Sequence, residues 1–369
     1  LGEDGPRVCM VDVPMVLGAP RPLNGVYLGG WGTHDLIARG AWPPGLWSDL
    51  EQRFGPPLMP VEHFGRQSPR SLGRLRHQLV DATRQLADVA VGLLRREPWD
   101  LACVVLSATH RAGHYLWDRS QVGGAAADGA CHPDLAAVYR AVDEAVGRIL
   151  AEVAGDTLVL AFAVHGMGRN PGWSDLLPDM LEALGREASG TGSAQGLLYR
   201  LRRRVPFHWA RPVLNRLPLA ASQRLVALWS RRMFDWSSTR HFPVPMDQAG
   251  YVRVNLRGRE RDGIVEPGVA YDALCNELGS WLLGLRDADS GDPLAHAVVR
   301  AFATAPPDAP GRDLLPDLVV PWDGPPAGTT RRVVSAAFPG FGYDVPATLP
   351  SGRAGNHTAN AWFVALGPG

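Results

Sequence analysis

Two apolar runs of this chain end in histidine, which puts metal-binding groups where an α/β sheet presents its ligands. Leu101-Ala-Cys-Val-Val-Leu106 leads into Ser107-Ala-Thr-His110-Arg-Ala-Gly-His114, and Thr157-Leu-Val-Leu-Ala-Phe-Ala-Val164 leads into His165-Gly166. A further histidine, His357, comes just before the apolar run Ala361-Trp-Phe-Val-Ala-Leu366. Neutral imidazole is the commonest zinc-binding group, and three imidazoles plus an open position make a catalytic coordination pattern. The spacing His110-x-x-x-His114 sets both rings on one side of a helical turn. A histidine at a strand end is also a common structural hydrogen-bonder. The residues alone therefore leave two open readings, a metal centre and a set of structural histidines.

Such histidines need parallel strands that end at one edge, with helices returning the chain between them. Residues 7–13, 101–106, 157–164, 318–320 and 361–366 are continuous rather than alternating in apolar character, which predicts buried parallel strands. From Ser68-Pro69 onward, Leu72, Leu75, Leu79, Leu86, Val89 and Leu93 fall on one helical face, with Ser68 as N-cap and Pro69 at the first helical position. Residues 133–153 repeat the pattern with Leu135, Val138, Tyr139, Val142, Val146 and Leu150. This alternation predicts an α/β fold, a mostly parallel sheet sandwiched by helices. The stretch 187–248 breaks the rhythm: it starts Gly/Ser-rich, turns basic and carries Trp209, Trp229 and Trp236. It is expected to be an inserted helical cap over a core made of residues 1–186 and 249–369. Gly250 to Leu256 alternates like a half-buried strand.

Composition narrows the function. Across 369 residues, 37 basic side chains balance 37 acidic ones, so no net field favours a nucleic-acid polymer or an anionic membrane. Cys9, Cys103, Cys131 and Cys275 are scattered and form no Cys-x-x-Cys pair, which argues against a zinc knuckle or a disulfide framework. That usage suits a reducing, cytoplasmic setting. No apolar run reaches membrane-spanning length. The chain enters a strand-like run soon after Leu1 and stops just after another, so the core is expected to be truncated at both ends, and any targeting segment would lie upstream.

Read in order, the motifs resemble the alkaline phosphatase superfamily, in particular its type I phosphodiesterase/nucleotide pyrophosphatase branch and that branch's predicted phosphohydrolase relatives. The family carries Asp-x-x-x-His after one core strand, Asp-His-Gly after the next, and Gly-x-His near the carboxyl end. The corresponding residues here are His110-Arg-Ala-Gly-His114, Val164-His165-Gly166 and Gly355-Asn356-His357. Between them, Tyr251-Val-Arg-Val-Asn255-Leu-Arg-Gly-Arg259, Gly263-Ile-Val-Glu-Pro-Gly268 and Leu315-Pro-Asp317-Leu-Val-Val320 are similar to the family's later blocks. The run from Arg7 to Pro14, with Leu23-Asn24-Gly25, resembles the strand and loop that follow its nucleophile region.

The resemblance implies an alkaline phosphatase-like fold and a metal-dependent phosphoester hydrolase that works through a covalent intermediate on a small-molecule substrate. One metal site would use His110, His114 and His357; His165 would serve a second, with the nucleophilic Thr or Ser and an Asp expected upstream of residue 1. One or two zinc ions are implied, and Arg111, Asn170 and Arg240 are candidate substrate contacts. Three departures bear on this. The family's aspartates are His110 and Val164 here, and its Gly-Asp-His is Gly355-Asn356-His357. Valine cannot coordinate a metal, which puts the second site in doubt unless a residue such as Asn170 or Asp175 replaces the ligand. A sulfatase or phosphomutase on the same fold is the alternative, as is a degenerate member that binds metal or ligand without catalysis.

Overall fold

The computed structural model describes residues 4–14, 22–32, 39–60, 67–117, 132–189, 234, 236–244, 246, 248–301, 311 and 313–367. Most of the expected cap, 187–248, lies outside the described residues. The chain divides into two compact units, one built from Leu1–His63, Gln67–Arg169 and His357–Gly369, the other mainly from Asn170–Asn356.

In the first unit, β1 (Val8–Val11), β2 (Gly25–Gly29), β3 (Gly40–Trp42) and β4 (Leu101–Val104) form a sheet in the order β3-β2-β1-β4. β1 pairs in parallel with both β2 and β4, while β3 is antiparallel to β2. The helices of this unit are α1 (Leu46–Phe54), α2 (Pro69–Leu94), α3 (Ala108–Leu116) and α4 (Pro133–Leu150). α2 starts where the sequence predicts. Ser68 Oγ accepts from Ser71 N at 3.1 Å, Ser71 Oγ accepts from Ser68 N at 2.8 Å, and Pro69 follows the cap.

The length of α2 lets it serve two cores. Its carboxyl half buries Leu86, Val89 and Leu93 against Cys9, Val11, Val26, Leu28 and Trp31 of the sheet region. Its amino half buries Leu72 and Leu79 against Ala112 and Leu116 of α3 and Leu135 and Val138 of α4. α3 is thereby wedged between two longer helices, which fixes its direction.

The remaining strands of the unit depart from the expected parallel sheet. β5 (Val159–Ala163) and β6 (Gly166–Arg169) run against β14 (Gly355–Thr358) and β15 (Trp362–Leu366), with β6 beside β14 and β5 antiparallel to β15. β1 is thus flanked by parallel partners, β2 and β4, whereas β5 finds an antiparallel one in β15. A continuous apolar run specifies a strand but not its partner, and here two long segments lie alongside each other in opposite directions. The β5/β15 ribbon is also exposed, with Phe162 at 61% and Phe363 at 75%.

The second unit is mixed. β7 (His241–Pro243), β8 (Gly250–Val254), β10 (Val299–Arg300) and β11 (Leu318–Val320) form an antiparallel sheet in the order β10-β11-β8-β7. β9 (Leu285–Asp287), β12 (Arg332–Ser335) and β13 (Gly342–Asp344) form another. β8 alternates in burial as its sequence predicts. With α5 (Trp173–Ser189) and α6 (Val269–Leu283), these strands enclose a core that includes Trp173, Leu177, Val252, Leu278 and Val320.

A buried ion pair ties this core together. Asp317, its side chain wholly buried, accepts from Arg259 Nη1 at 2.8 Å and Nη2 at 2.7 Å, from Tyr271 Oη at 2.6 Å and from Val254 N at 2.6 Å. Burial raises the Asp317 pKa, but the hydrogen bonds from Arg259, Tyr271 and Val254 outweigh it and hold the carboxyl below its ordinary value. Replacing Asp317 with Ala removes the bidentate partner of the buried Arg259, which keeps only Glu260 and the Val254 carbonyl, and leaves the Tyr271 hydroxyl and Val254 amide without their acceptor. That variant is expected to lose about 3–5 kcal/mol of stability in urea denaturation.

His241 carries a pH dependence. Its Nδ1 is buried without a hydrogen-bond partner, and its ring centroid lies 6.3 Å from that of Trp281. Burial, reinforced by the neighbouring Arg240 charge, pushes its pKa down from 6.5 to about 4. The unfolded chain therefore binds the proton more tightly than the folded one. This contribution to stability is whole above pH 6.5 and falls as the pH drops towards about 4. Urea midpoints across that window should show a loss of up to about 3 kcal/mol, and His241→Gln should flatten the slope.

Candidate metal centre

Parallel pairing brings the carboxyl ends of β1, β2 and β4 to one edge, and a few polar contacts fasten them there. Val105 N donates to Val11 O at 3.0 Å. Asp12, buried and at a φ of 60°, accepts from Trp31 N at 2.8 Å and from Gly32 N. Ser107 stands at the N-cap position of α3 but makes no side-chain cap; its hydroxyl donates to Gly32 O at 2.6 Å. The start of α3 is thus tied to the end of β2. Asp12 and Ser107 are positioning residues that the motif reading did not single out. An acid interrupting the apolar run 7–13 was the available signal.

α3 carries His110 and His114 one turn apart, with ring centroids 4.8 Å from each other and planes at 80°. Gly113, between them, allows α3 to rest on β6, since a Cβ there would lie 2.7 Å from Met167 Cε. His165 follows β5 and His357 lies in β14, and their ring centroids are 4.2 Å apart. Close backbone approach makes this possible. A Cβ on Gly166 would meet Thr358 Oγ1 at 2.5 Å and Asn360 O at 2.7 Å.

The four predicted histidines come together. His110 lies 5.4 Å from His165 and 4.9 Å from His357, and His114 lies 4.9 Å from His357, measured between ring centroids. The possible ligand atoms of His110, His165 and His357 are all within 4.8 Å of one another. His114 is buried and falls outside that trio. His165 Nδ1 donates to Gly166 O at 3.1 Å; because a carbonyl only accepts, the proton sits on Nδ1 and the Nε2 lone pair is left to bind. Imidazole nitrogens are the kind of donor that a transition-metal dication takes.

The other candidates are placed differently. Arg111, read from sequence as either a substrate contact or a surface ion-pair partner, is buried on α3, and its Nη1 donates to Pro60 O. Val164 is 76% exposed. Asn170, Asp175, Arg240 and Asn356 belong to the second unit. The Asn170 amide donates to Arg353 O and accepts from Gly172 N, each at 3.0 Å. Asp175 accepts from Ser351 Oγ, and Arg240 lies 3.9 Å from Glu277.

Comparison with known proteins identifies a family over the middle of the chain. The family described as Type I phosphodiesterase / nucleotide pyrophosphatase matches residues 30–267. Neither the curated proteins nor the solved structures yield a match.

The contact at Gly166 yields a test independent of any substrate. Gly166→Ala must push β6 away from Thr358 and Asn360, at a cost of about 1–3 kcal/mol. Thermal denaturation should show that loss, and zinc titration of the same variant should show weaker binding.

Proposed function

The chain belongs to the type I phosphodiesterase/nucleotide pyrophosphatase family of the alkaline phosphatase superfamily, and on that premise we propose that it is a metal-dependent hydrolase of small phosphoesters on an alkaline phosphatase-like core. The observation that carries the reading is the meeting of His110, His114, His165 and His357, drawn from three separate stretches of chain. A divalent ion held there, zinc in this reading, would polarise a phosphoryl oxygen and acidify a bound water.

The chain's own residues supply position. The helix wedged between α2 and α4 aims His110 and His114, and the Gly166 carbonyl fixes the tautomer of His165. Arg111 acts from within the fold by holding the Pro60 carbonyl. The reaction includes a covalent step. A Ser or Thr hydroxyl attacks phosphorus in line, the P–O bond to the leaving alcohol or phosphate breaks, and water then releases the phosphoryl group. Among the described residues no helix is long and apolar enough to cross a membrane, and a small-molecule substrate suits the family.

One observation favours a second reading. Val164 stands where the resemblance expects a carboxylate ligand and is largely exposed, which suits a member that binds metal or ligand without turnover. Assay of the protein on bis-p-nitrophenyl phosphate, p-nitrophenyl phosphate and p-nitrophenyl sulfate separates the cases. The diester is expected to be cleaved fastest, with activity lost to a chelator and restored by zinc. Preference for the sulfate would move the assignment to a sulfatase, and no turnover of any substrate would leave the binding-only reading.

A further inference from the structure

We infer that His110, His165 and His357 share a single transition-metal dication, merging into one centre the ligands that the family resemblance divides between two. The inference rests on the metal-binding half of the proposed function, not on its catalytic half. Geometry is the first support. The possible ligand atoms of the three rings lie within 4.8 Å of one another, and a tetrahedral ion with metal–nitrogen bonds of about 2.1 Å holds its donors about 3.4 Å apart. Small ring movements close the trio on one ion.

Charge is the second support. Another dication about 4 Å away needs donors of its own and anionic ligands to offset the repulsion between the two ions. Among the described residues the donor group includes no carboxylate. Val164, next to His165, offers no ligand atom. The third support is the tautomer, since the Gly166 carbonyl leaves His165 Nε2 as donor, on a ring whose centroid lies 4.2 Å from that of His357. His114, buried and outside the trio, packs against the rings of His110 and His357 and orients them. Neutral nitrogen donors favour Zn2+, Co2+, Ni2+ and Cu2+ and disfavour Mg2+ and Ca2+, which seek oxygen.

Calorimetric titration of the metal-stripped chain with Zn2+, with bound metal counted by atomic emission, tests this. One ion per chain is expected, and about a thousandfold excess of Mg2+ or Ca2+ should not displace it. His110→Ala, His165→Ala and His357→Ala are each expected to weaken zinc binding by about 100-fold or more, and His114→Ala by much less. His77→Ala, at an exposed position on α2, is the control. His165 is only partly buried, beyond the end of β5, so its variant should keep the metal-free melting profile. Two zinc ions per chain, or a folded His165→Ala chain that binds zinc as tightly as the parent, overturns the inference. One bound ion with no ester turnover supports it while defeating the hydrolase reading; turnover with two bound ions does the reverse.

Discussion

How closely two backbone segments can approach decides whether the histidines meet at all. His165 precedes β6 and His357 lies in β14, and the two strands run side by side with Gly166 against Thr358 and Asn360. An ordinary side chain at that position would occupy space already filled by a hydroxyl and a carbonyl oxygen. Imidazoles carry no charge that draws them together, so the rings crowd only because the backbone delivers them. Gly113 makes the matching approach on the other side, where α3 rests on Met167. Two glycines thus set the width of the cluster.

The support behind α3 comes from farther away. α2 packs its two halves on different cores, so the sheet that ends in Asp12 and the helix that carries His110 and His114 share one rigid beam. The cap at Ser68 and the hydroxyl of Ser107 complete that frame at its ends. The second unit is held by another device, a buried carboxylate satisfied from four directions by Arg259, Tyr271 and a backbone amide. That network shields a charge inside a core.

Much of this could be read from the sequence, for identifiable reasons. Ser68-Pro69 with an apolar stripe at helical spacing marks α2, because capping and burial are local rules. His110 and His114 share one helical face because their spacing nearly equals a turn. Strands β1, β4, β5, β11 and β15 all fall within the apolar runs. Their partners could not be read, since pairing is a long-range choice that a short run does not encode; hence the antiparallel β5/β15 ribbon in place of a further parallel strand. Burial of Arg111 was equally hidden, because arginine is ordinarily exposed and a distant acceptor, the Pro60 carbonyl, helps make an interior place tolerable. The roles of Asp12 and Ser107 depend on the loop after β2, seventy-five residues from Ser107 in the chain.

The cluster joins a firm half to a soft one. α3 lies inside a packed helical core, whereas every residue of β15 is exposed and one face of β5 carries the large exposed side chains Leu160 and Phe162. An ion gripping both halves is thermodynamically linked to the order of the ribbon. Whatever ordering metal imposes on β5 and β15, any contact that orders them returns as metal affinity, by the same factor. At about a hundred times its dissociation constant a ligand contributes about 2.7 kcal/mol to the form that binds it. On the proposed metal-binding reading, the exposed ribbon is therefore a point at which events outside the imidazole cluster would adjust its grip.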